Sequence, residues 1–210
     1  MTLEEETEAW NSYLIPGTNV LKNKFNISNR EELLQKEVAI SFLRNVELME
    51  NPISTNFDKE HLKAIHRYLF GDIYDFAGKY RTCYMQKNNS YFSPVEDIDR
   101  RLDYCFMVAS QELEENVFTK MDFAIHLSAL FCELLNIHPF REGNGRSIRE
   151  FIREYANAKS KDLSFGPLEF NWDNVSKDTL NEVIGFSMAF RSAIDYEFFK
   201  ALEPVPVNQL

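Results

Sequence analysis

The chain has 210 residues, of which 44% are hydrophobic and 27% charged, with 18 Phe but only 7 Gly and 7 Pro. Such a chain can bury a sizeable core, which excludes disordered, collagen-like and low-complexity proteins. Its formal net charge of −10 repels nucleic acid and anionic lipid, so any site for an anion must be local. We therefore expect one globular domain with no direct nucleic-acid partner and no membrane partner.

The cysteines and the amino terminus indicate the cellular compartment in which the protein is expected. Cys83, Cys105 and Cys132 are an odd number at wide spacing, which suits neither a disulfide framework nor a zinc site. The amino terminus is acidic where a signal peptide needs positive charge, and no segment approaches the roughly 18 to 20 apolar residues of a membrane span. These features predict a cytoplasmic protein.

Helical patterns open the chain. Ser28, followed three residues later by Glu31, predicts a capping box that begins a helix running to about Asn51. A further helix is predicted to begin near Asp58 and to stop at Gly71. The apolar positions of the first of these helices are Leu33, Leu34, Val38, Ile40, Leu43 and Val46.

The pattern then changes to that of a hairpin. Residues 81–86 are rich in strand formers, residues 87–90 have turn composition, and Tyr91 and Phe92 resume an extended run before Pro94. The sequence therefore predicts a short β-hairpin over about residues 79–92. A lone hairpin is marginally stable unless it packs on something else.

Helical periodicity resumes at Val95 and continues to the end of the domain. The most apolar segment, from about Met121 to Asn136, is a candidate central helix. Helices are also predicted from near Gly145 to about Ala158 and over residues 179–202, whereas the tail 203–210 contains prolines that cannot continue a helix. The interpretation is an all-α bundle over residues 1–202 with one hairpin.

The loop between two of these helices carries the residues suited to chemistry. Pro139 disfavours helical dihedral angles at His138, so the central helix should end just before the imidazole. Gly143 and Gly145 permit positive φ, and the amides of such a turn at the start of a helix form an anion nest. The loop is therefore suited to a phosphate.

Charged residues complete this predicted phosphate site. Arg146 and Arg149 are three apart and share a helix face, where two guanidinium groups can grip successive phosphates. Glu142 makes sense there if Mg²⁺ lies between its carboxylate and the phosphates. A base, a metal carboxylate, an amide nest and paired arginines are what an enzyme moving a phosphorus-centred group needs.

Simpler interpretations stand beside this one. Each single element of the loop can arise by chance, whereas their occurrence together within a dozen residues favours a functional site. A metal site built from His138 and Glu142 is a poor alternative, because Pro139 and two glycines interrupt the helix that would align them. A Walker phosphate loop is excluded because the sequence has no GxxxxGK[ST].

The run HPFREGNGRSIR over residues 138–149 resembles the signature HxFx[DE]GNGRxxR of Fic domains (filamentation induced by cyclic AMP), with every fixed position matched. Residues 13–24 resemble the opening of the Fic toxins that pair with small antitoxins, and residues 70–81 resemble the run into the family's flap. The resemblance implies a Fic-type helical bundle with a β-hairpin flap. It also implies adenylylation, the transfer of AMP from ATP to a hydroxyl side chain of a target protein.

The resemblance assigns roles to the loop. His138 would be the general base for the target hydroxyl, and Glu142 would hold Mg²⁺ against the α- and β-phosphates. Phe140 would be an inward anchor, and Arg141 receives no role. The remaining nucleotide-binding positions would be Gly143, Asn144 and Gly145, which cradle the phosphates, and Arg146 and Arg149, which bind the β- and γ-phosphates.

The flap would bind a segment of the target by strand pairing. Its candidate target-binding residues are Lys87, Asn88, Asn89 and Phe92, although a solvated turn is the simpler interpretation of the first three. Some members of the toxin subgroup modify the ATPase subunits of DNA gyrase and topoisomerase IV, which are therefore the candidate targets. For His61, His66 and His126, packing or surface roles are expected rather than chemistry.

The resemblance also bears on regulation. Many members restrain themselves with a helix bearing [ST]xxxE[GN], whose glutamate pairs with the second motif arginine, here Arg149. The sequence contains Glu followed by Gly or Asn three times, and the residues four before those glutamates are Val46, Gln111 and His138. The sequence therefore has no internal copy, and the inhibitory helix is expected from a small antitoxin.

Two alternatives to AMP transfer remain. Phosphotransferase members of the family carry lysine at the second motif glycine, whereas Gly145 keeps the adenylylating form. The same loop could nevertheless transfer UMP, GMP or phosphocholine. The fold could also be a binding module that holds nucleotide or partner without turnover, against which His138, Glu142 and both arginines argue.

Overall fold

A computed structural model describes residues 2–53, 56–87, 90–180 and 191–206, and they divide into two compact units. The first unit is Met1–Asp99 with His138–Ser147, and the second is Arg100–Ile137 with Ile148–Leu210. The predicted predominantly helical architecture is confirmed. The helices are α1 (Leu3–Ser12), α2 (Arg30–Glu50), α3 (Lys59–Phe70), α4 (Ile98–Asn116), α5 (Lys120–Ile137), α6 (Asn144–Lys159) and α7 (Arg191–Ala201).

Helix α2 ends where the sequence predicts, but its cap differs. The side chain of Asn29, not Ser28, accepts hydrogen bonds from the amides of Glu31 (2.9 Å) and Glu32 (3.0 Å). Asparagine suits this position because its side-chain oxygen reaches the second and third amides of the helix. The predicted capping box is therefore wrong, and the N-cap is Asn29, one residue after Ser28.

The buried face of α2 also differs from the apolar pattern. Four of the apolar positions are exposed, with Leu34 at 57%, Val38 at 53%, Leu43 at 61% and Val46 at 39%. The buried residues of α2 are Leu33, Glu37, Ser41 and Leu48.

Helix α3 agrees with its prediction at both ends. The Asp58 side chain caps its first turn by accepting from the amides of Glu60 and His61, and Gly71 follows its last residue. Its apolar stripe, which includes Leu62 and Ile65, is fully buried and forms the core of the first unit.

The predicted hairpin is present but shorter than the sequence indicates. Strands β1 (Gln86–Lys87) and β2 (Ser90–Tyr91) pair antiparallel, with Gln86 opposite Tyr91. Residues 79–85 lie outside the strands, because the chain there turns inward to bury the side chain of Arg81.

The second unit is built on α5, whose bounds match the predicted central helix. Phe131 of α5 lies 5.5 Å, between ring centroids, from Phe198 of α7 and from Trp172. A second two-stranded sheet that the sequence analysis missed pairs β3 (Leu168–Phe170) with β4 (Leu202–Pro204). Leu202, the last residue of the predicted terminal helix, and the first two residues of the predicted tail thus form a strand.

Of the predicted terminal helix, residues 179 and 180 are helical and α7 covers Arg191–Ala201, while residues 181–190 lie outside the described residues. Among the helices of the described ranges, none combines the length and the apolar character needed to cross a lipid bilayer.

Candidate functional site

The imidazole of His138 lies where α5 has just ended. Helix α5 stops at Ile137, as Pro139 predicts, and His138 adopts a left-handed φ of +50°. Its ring lies parallel to that of Phe92, with 3.8 Å between centroids and 8° between planes. His138 is half-buried, so its ring is held by the hairpin rather than immersed in the core.

Arg81 joins the base of the hairpin to this histidine. Its buried guanidinium donates to the main-chain oxygens of His138 (2.8 Å), Cys83 (2.8 Å) and Ser93 (2.5 Å). Its amide also donates to the Pro139 oxygen at 2.8 Å. Burial lowers the pKa of Arg81, and the carbonyl dipoles around it offset that loss of solvation. The flap and the His138 backbone are therefore held by one side chain.

The loop after His138 is held by a buried ring and by hydrogen bonds within the loop. Phe140 is fully buried, as expected for an inward anchor. The Asn144 side chain accepts from the Phe140 amide (2.9 Å) and donates to its carbonyl (2.7 Å). The Asn144 carboxamide thus closes the loop, and its main-chain amide is among the first amides of α6, which have no acceptor within the helix.

His66 supports the same loop from α3. Its Nδ1 accepts from the Gly78 amide at 2.8 Å, which assigns the proton to Nε2, and Nε2 donates to the Glu142 carbonyl at 2.8 Å. Burial lowers the pKa of His66 to about 4, so the ring stays neutral near pH 7. Its ring stacks on Phe140 at 3.8 Å. His66 thus packs and orients the loop, as expected from the sequence.

The two motif glycines differ in conformation. Gly143 has φ +80°, and a Cβ atom there would lie 2.4 Å from Cε2 of Phe70. Only glycine fits this position, because both the dihedral angle and the packing exclude a side chain. Gly145, for which the sequence analysis also allowed positive φ, lies instead in the first turn of α6, because that helix already begins at Asn144.

Glu142 and Arg146 lie side by side at the start of α6. A carboxylate oxygen of Glu142 is 3.7 Å from an Arg146 guanidinium nitrogen, and it accepts from the Gly143 amide at 3.0 Å. The Glu142 side chain is 44% exposed and that of Arg146 is 26% exposed. Both charges can therefore meet a solute.

Arg146 has further partners on α2. It forms a hydrogen-bonded ion pair with the buried Glu37, and it donates to Oγ of Ser41 at 3.0 Å. Its guanidinium carbon lies 4.7 Å from the ring centroid of Phe70. The sequence analysis missed Glu37, because it took α2 as an apolar stripe.

Arg149 follows Arg146 by one turn of α6 and belongs to the second unit. Its carbonyl accepts from the Trp172 indole at 3.0 Å.

Arg141, to which the sequence analysis gave no role, anchors the loop to the amino-terminal segment. Its guanidinium carbon lies 4.1 Å from the ring centroid of Trp10 and 5.6 Å from that of Tyr13. The Tyr13 hydroxyl in turn accepts from the Thr82 amide at 3.0 Å. The amino-terminal segment is therefore tied to both the loop and the base of the flap.

The flap residues are only partly described. Lys87 is exposed at the end of β1, and Asn88 and Asn89 lie outside the described residues. Phe92 is half-buried against His138.

The donor set at this loop suits a metal that also binds phosphate. In the part of the chain that the structure describes, no group of three or more His, Cys, Asp or Glu side chains could hold a metal ion. Mg²⁺ needs only one or two carboxylates when phosphate oxygens and water supply its other ligands. The half-exposed Glu142 carboxylate fits that requirement.

The chain is similar to proteins whose names state an activity. A sequence model described as Fic/DOC family matches residues 56–156. Protein adenylyltransferase VbhT of Bartonella schoenbuchensis is 34% identical over 171 residues, which are 80% of this chain but 34% of VbhT. The chain thus spans about a third of that relative. The probable protein adenylyltransferase y4lH of Sinorhizobium fredii is 32% identical over 155 residues, 73% of this chain and 79% of y4lH.

A solved structure shows the same fold. The Bartonella tribocorum BepC protein, crystallised with AMPPNP, superposes with a TM-score of 0.80 at 22% identity, covering 93% of this chain and 98% of BepC. Since the loop over residues 138–149 falls within the matched region and y4lH is covered over most of its length, this chain belongs to the Fic/DOC family.

Proposed function

We propose that this chain is a protein adenylyltransferase, which transfers AMP from ATP to a hydroxyl side chain of a target protein. The observation that carries the proposal is the arrangement of the loop: a half-buried imidazole at its start, and a carboxylate and a guanidinium 3.7 Å apart at the start of the following helix. The names of VbhT and y4lH and the AMPPNP in BepC support it.

His138 is the general base of the proposed reaction. The target oxygen bonds to the α-phosphorus, the bond from the α-phosphorus to the bridging oxygen breaks, and pyrophosphate leaves. The hydroxyl proton passes to His138. The left-handed backbone at His138, the Arg81 hydrogen bond to its carbonyl and the Phe92 ring hold the imidazole in one orientation.

The start of α6 is the proposed phosphate site. The amides of Asn144 and Gly145 face the anion, since the first amides of a helix have no partner within it. Gly143 contributes the turn before them, while its own amide donates to the Glu142 carboxylate at 3.0 Å. Arg146 and Arg149 bind the outer phosphates and stabilise the leaving pyrophosphate. Glu142 is the residue that would hold Mg²⁺, which when bound neutralises phosphate charge.

The hairpin is the proposed docking site for the target. Strands β1 and β2 form a sheet of two strands, whose edges can accept an extended segment by main-chain hydrogen bonds. The added segment would bring its hydroxyl toward His138, because Phe92 at the end of the hairpin touches that ring. Lys87, Asn88, Asn89 and Phe92 are the proposed target-contacting residues.

The inhibitor and the target of the enzyme are part of the same proposal. The sequence has no [ST]xxxE[GN] segment, which supports inhibition by a separate antitoxin helix whose glutamate pairs with Arg149. The chain would then be the toxin of a cytoplasmic toxin–antitoxin pair, with DNA gyrase or topoisomerase IV as its target. Sequencing the neighbouring gene and co-purifying its product test this point.

Mass spectrometry of modified protein tests the activity. The protein is incubated with Mg²⁺, ATP and lysate or purified gyrase and topoisomerase IV, and modified peptides are identified by their added mass. We expect an adenylyl group on Ser, Thr or Tyr. Another mass, such as that of a uridylyl, guanylyl or phosphocholine group when the matching donors are supplied, identifies a different transfer, and nucleotide binding without product indicates a binding module.

A further inference from the structure

A buried carboxylate lies behind the arginine of the phosphate loop. Glu37 of α2 is 4% exposed, and both of its oxygens have donors in the first unit. One oxygen accepts from the Arg146 guanidinium and the other from the Tyr74 hydroxyl. Burial, followed by the Glu37 carboxylate, raises the pKa of Tyr74, so its hydroxyl remains a donor at physiological pH. The carboxylate is therefore fixed at both ends.

Stability alone gives little reason for this arrangement. A buried ion pair loses hydration, and replacing it by apolar side chains of similar volume is often neutral or favourable. In addition, Arg146 lies near the start of α6, where a positive charge opposes the helix dipole. The negative charge of Glu37 offsets the repulsion between Arg146 and the helix dipole. Arg146 can therefore keep its positive charge at a helix start that is suited to binding an anion.

The contacts fix the direction of the guanidinium. One nitrogen of Arg146 meets Glu37, a second donates to Ser41 at 3.0 Å, and the face of the group lies over Phe70. A guanidinium carries five N–H donors, of which these hydrogen bonds use two. The others are available to phosphate oxygens in one fixed orientation, which lowers the entropy lost on binding.

Glu37 also competes with Glu142 for the same nitrogen. The Arg146 nitrogen that pairs with Glu37 is 3.7 Å from the Glu142 carboxylate. If Glu37 were neutral, Arg146 would turn toward Glu142, and that carboxylate would be less able to serve a metal ion. The buried pair therefore leaves Glu142 at 3.7 Å from Arg146, beyond hydrogen-bond distance.

We propose that Glu37 is a positioning residue for the triphosphate: its buried carboxylate holds Arg146 in the orientation that binds the outer phosphates and keeps Arg146 from forming a hydrogen bond with Glu142. The inference rests on the proposed function for the identity of the ligand. It predicts that Glu37 affects nucleotides according to their phosphate number, because Arg146 would bind only the outer phosphates.

Nucleotide binding by the full chain provides the test. Calorimetry with Mg²⁺ compares a non-hydrolysable ATP analogue with AMP for wild type, Glu37→Gln and Glu32→Gln, the last being the same change at an exposed position of α2. We expect Glu37→Gln to weaken the ATP analogue about tenfold and AMP less than about twofold. Glu32→Gln should change neither. Tyr74→Phe, which removes only the second donor to Glu37, should give a smaller loss in the same direction.

A double variant tests whether Glu37 acts through Arg146. Adding Glu37→Gln to Arg146→Gln should weaken the ATP analogue no further, because the group to be positioned is gone. If Glu37→Gln lost the same affinity for the ATP analogue and for AMP, Glu37 would have a merely structural role. If it bound the analogue more tightly, the Glu37 contact would be inhibitory. Either result, or an unchanged affinity, overturns the proposal. If wild type binds nucleotide but transfers no AMP, the proposed function fails while the role of Glu37 is still measured.

Discussion

The ring of Phe92 lies flat against the imidazole of His138, with 3.8 Å between centroids and 8° between planes. Phe92 follows β2 of the hairpin, and its amide donates to the Met85 carbonyl at 3.1 Å. The segment proposed to bind the target therefore also covers one face of the proposed base. If the hairpin binds the target as proposed, this one ring couples target binding to the orientation of the imidazole.

Removing the ring should slow AMP transfer. Aromatic stacking contributes about 0.5 to 1.5 kcal/mol, so we expect Phe92→Ala to lower the initial rate of target labelling by roughly threefold to tenfold. Phe92→Tyr keeps the ring and should retain most of the rate. Phe118→Ala, the same change at a residue that is 70% exposed, is the control. A Phe92→Ala protein as fast as wild type would show that the stack does not orient the base.

Replacing Arg81 should destabilise the protein. Arg81→Met would leave three buried carbonyls without their donor, and we expect a loss of roughly 3 kcal/mol in the free energy of unfolding, measured with urea. Arg81→Lys should recover only part, because an ammonium cannot reproduce the planar fork. Arg67→Met, at an exposed position of α3, should change little. Equal stability of the two Met variants would contradict this account of Arg81.

Gly17 and Gly143 have similar positive φ angles but different surroundings, so substitutions there distinguish the cost of backbone strain from the cost of a packing clash. Gly17 has φ +76° and nothing within 4 Å of its built Cβ, whereas the Cβ at Gly143, with φ +80°, would meet Phe70 at 2.4 Å. We expect Gly17→Ala to lower the free energy of unfolding by about 1 kcal/mol and Gly143→Ala by at least about 3 kcal/mol. Gly143→Ala should also lose nucleotide binding. Similar losses in both variants would mean that the loop can move away from Phe70.

The buried His66 should make stability depend on pH. Its pKa falls from 6.5 to about 4 on folding because burial disfavours the charged ring. The unfolded chain therefore binds more protons between these values, and stability decreases as pH falls from about 6.5 to 4, by roughly 3 kcal/mol at most. Urea titrations across this range should show a shallower dependence in His66→Gln.

His126 serves as an internal check on that measurement. Burial also lowers its pKa to about 4, so His66→Gln should keep the contribution of His126, and the double Gln variant should lose both. An unchanged pH dependence in His66→Gln would show that His66 is not buried in its neutral form.

The predictions that succeeded rest on local signals. Asp58 and Gly71 bound α3 because a capping side chain and a terminating glycine act within one turn. Pro139 ends α5 through its steric effect on the residue before it. The loop over residues 138–149 was singled out from local signals as well, because its residues are contiguous in sequence, and the roles of its side chains stay predictions.

The predictions that failed depend on partners far along the chain. Glu37 faces inward because it pairs with Arg146, 109 residues away, and no pattern within α2 signals that partner. The hairpin is short because Arg81 turns inward to reach Ser93 and His138. The pairing of β3 with β4 joins segments of which one was assigned to a terminal tail.

The most direct test of the account compares ATP labelled at the α-phosphate with ATP labelled at the γ-phosphate, using wild type and His138→Ala with the same target. We predict that wild type transfers the α-label and not the γ-label to protein, and that His138→Ala, folded to the same melting temperature within error, transfers neither. Transfer of the γ-label by wild type, or full transfer of the α-label by His138→Ala, would contradict the assignment of the loop as an adenylylating site with His138 as its base.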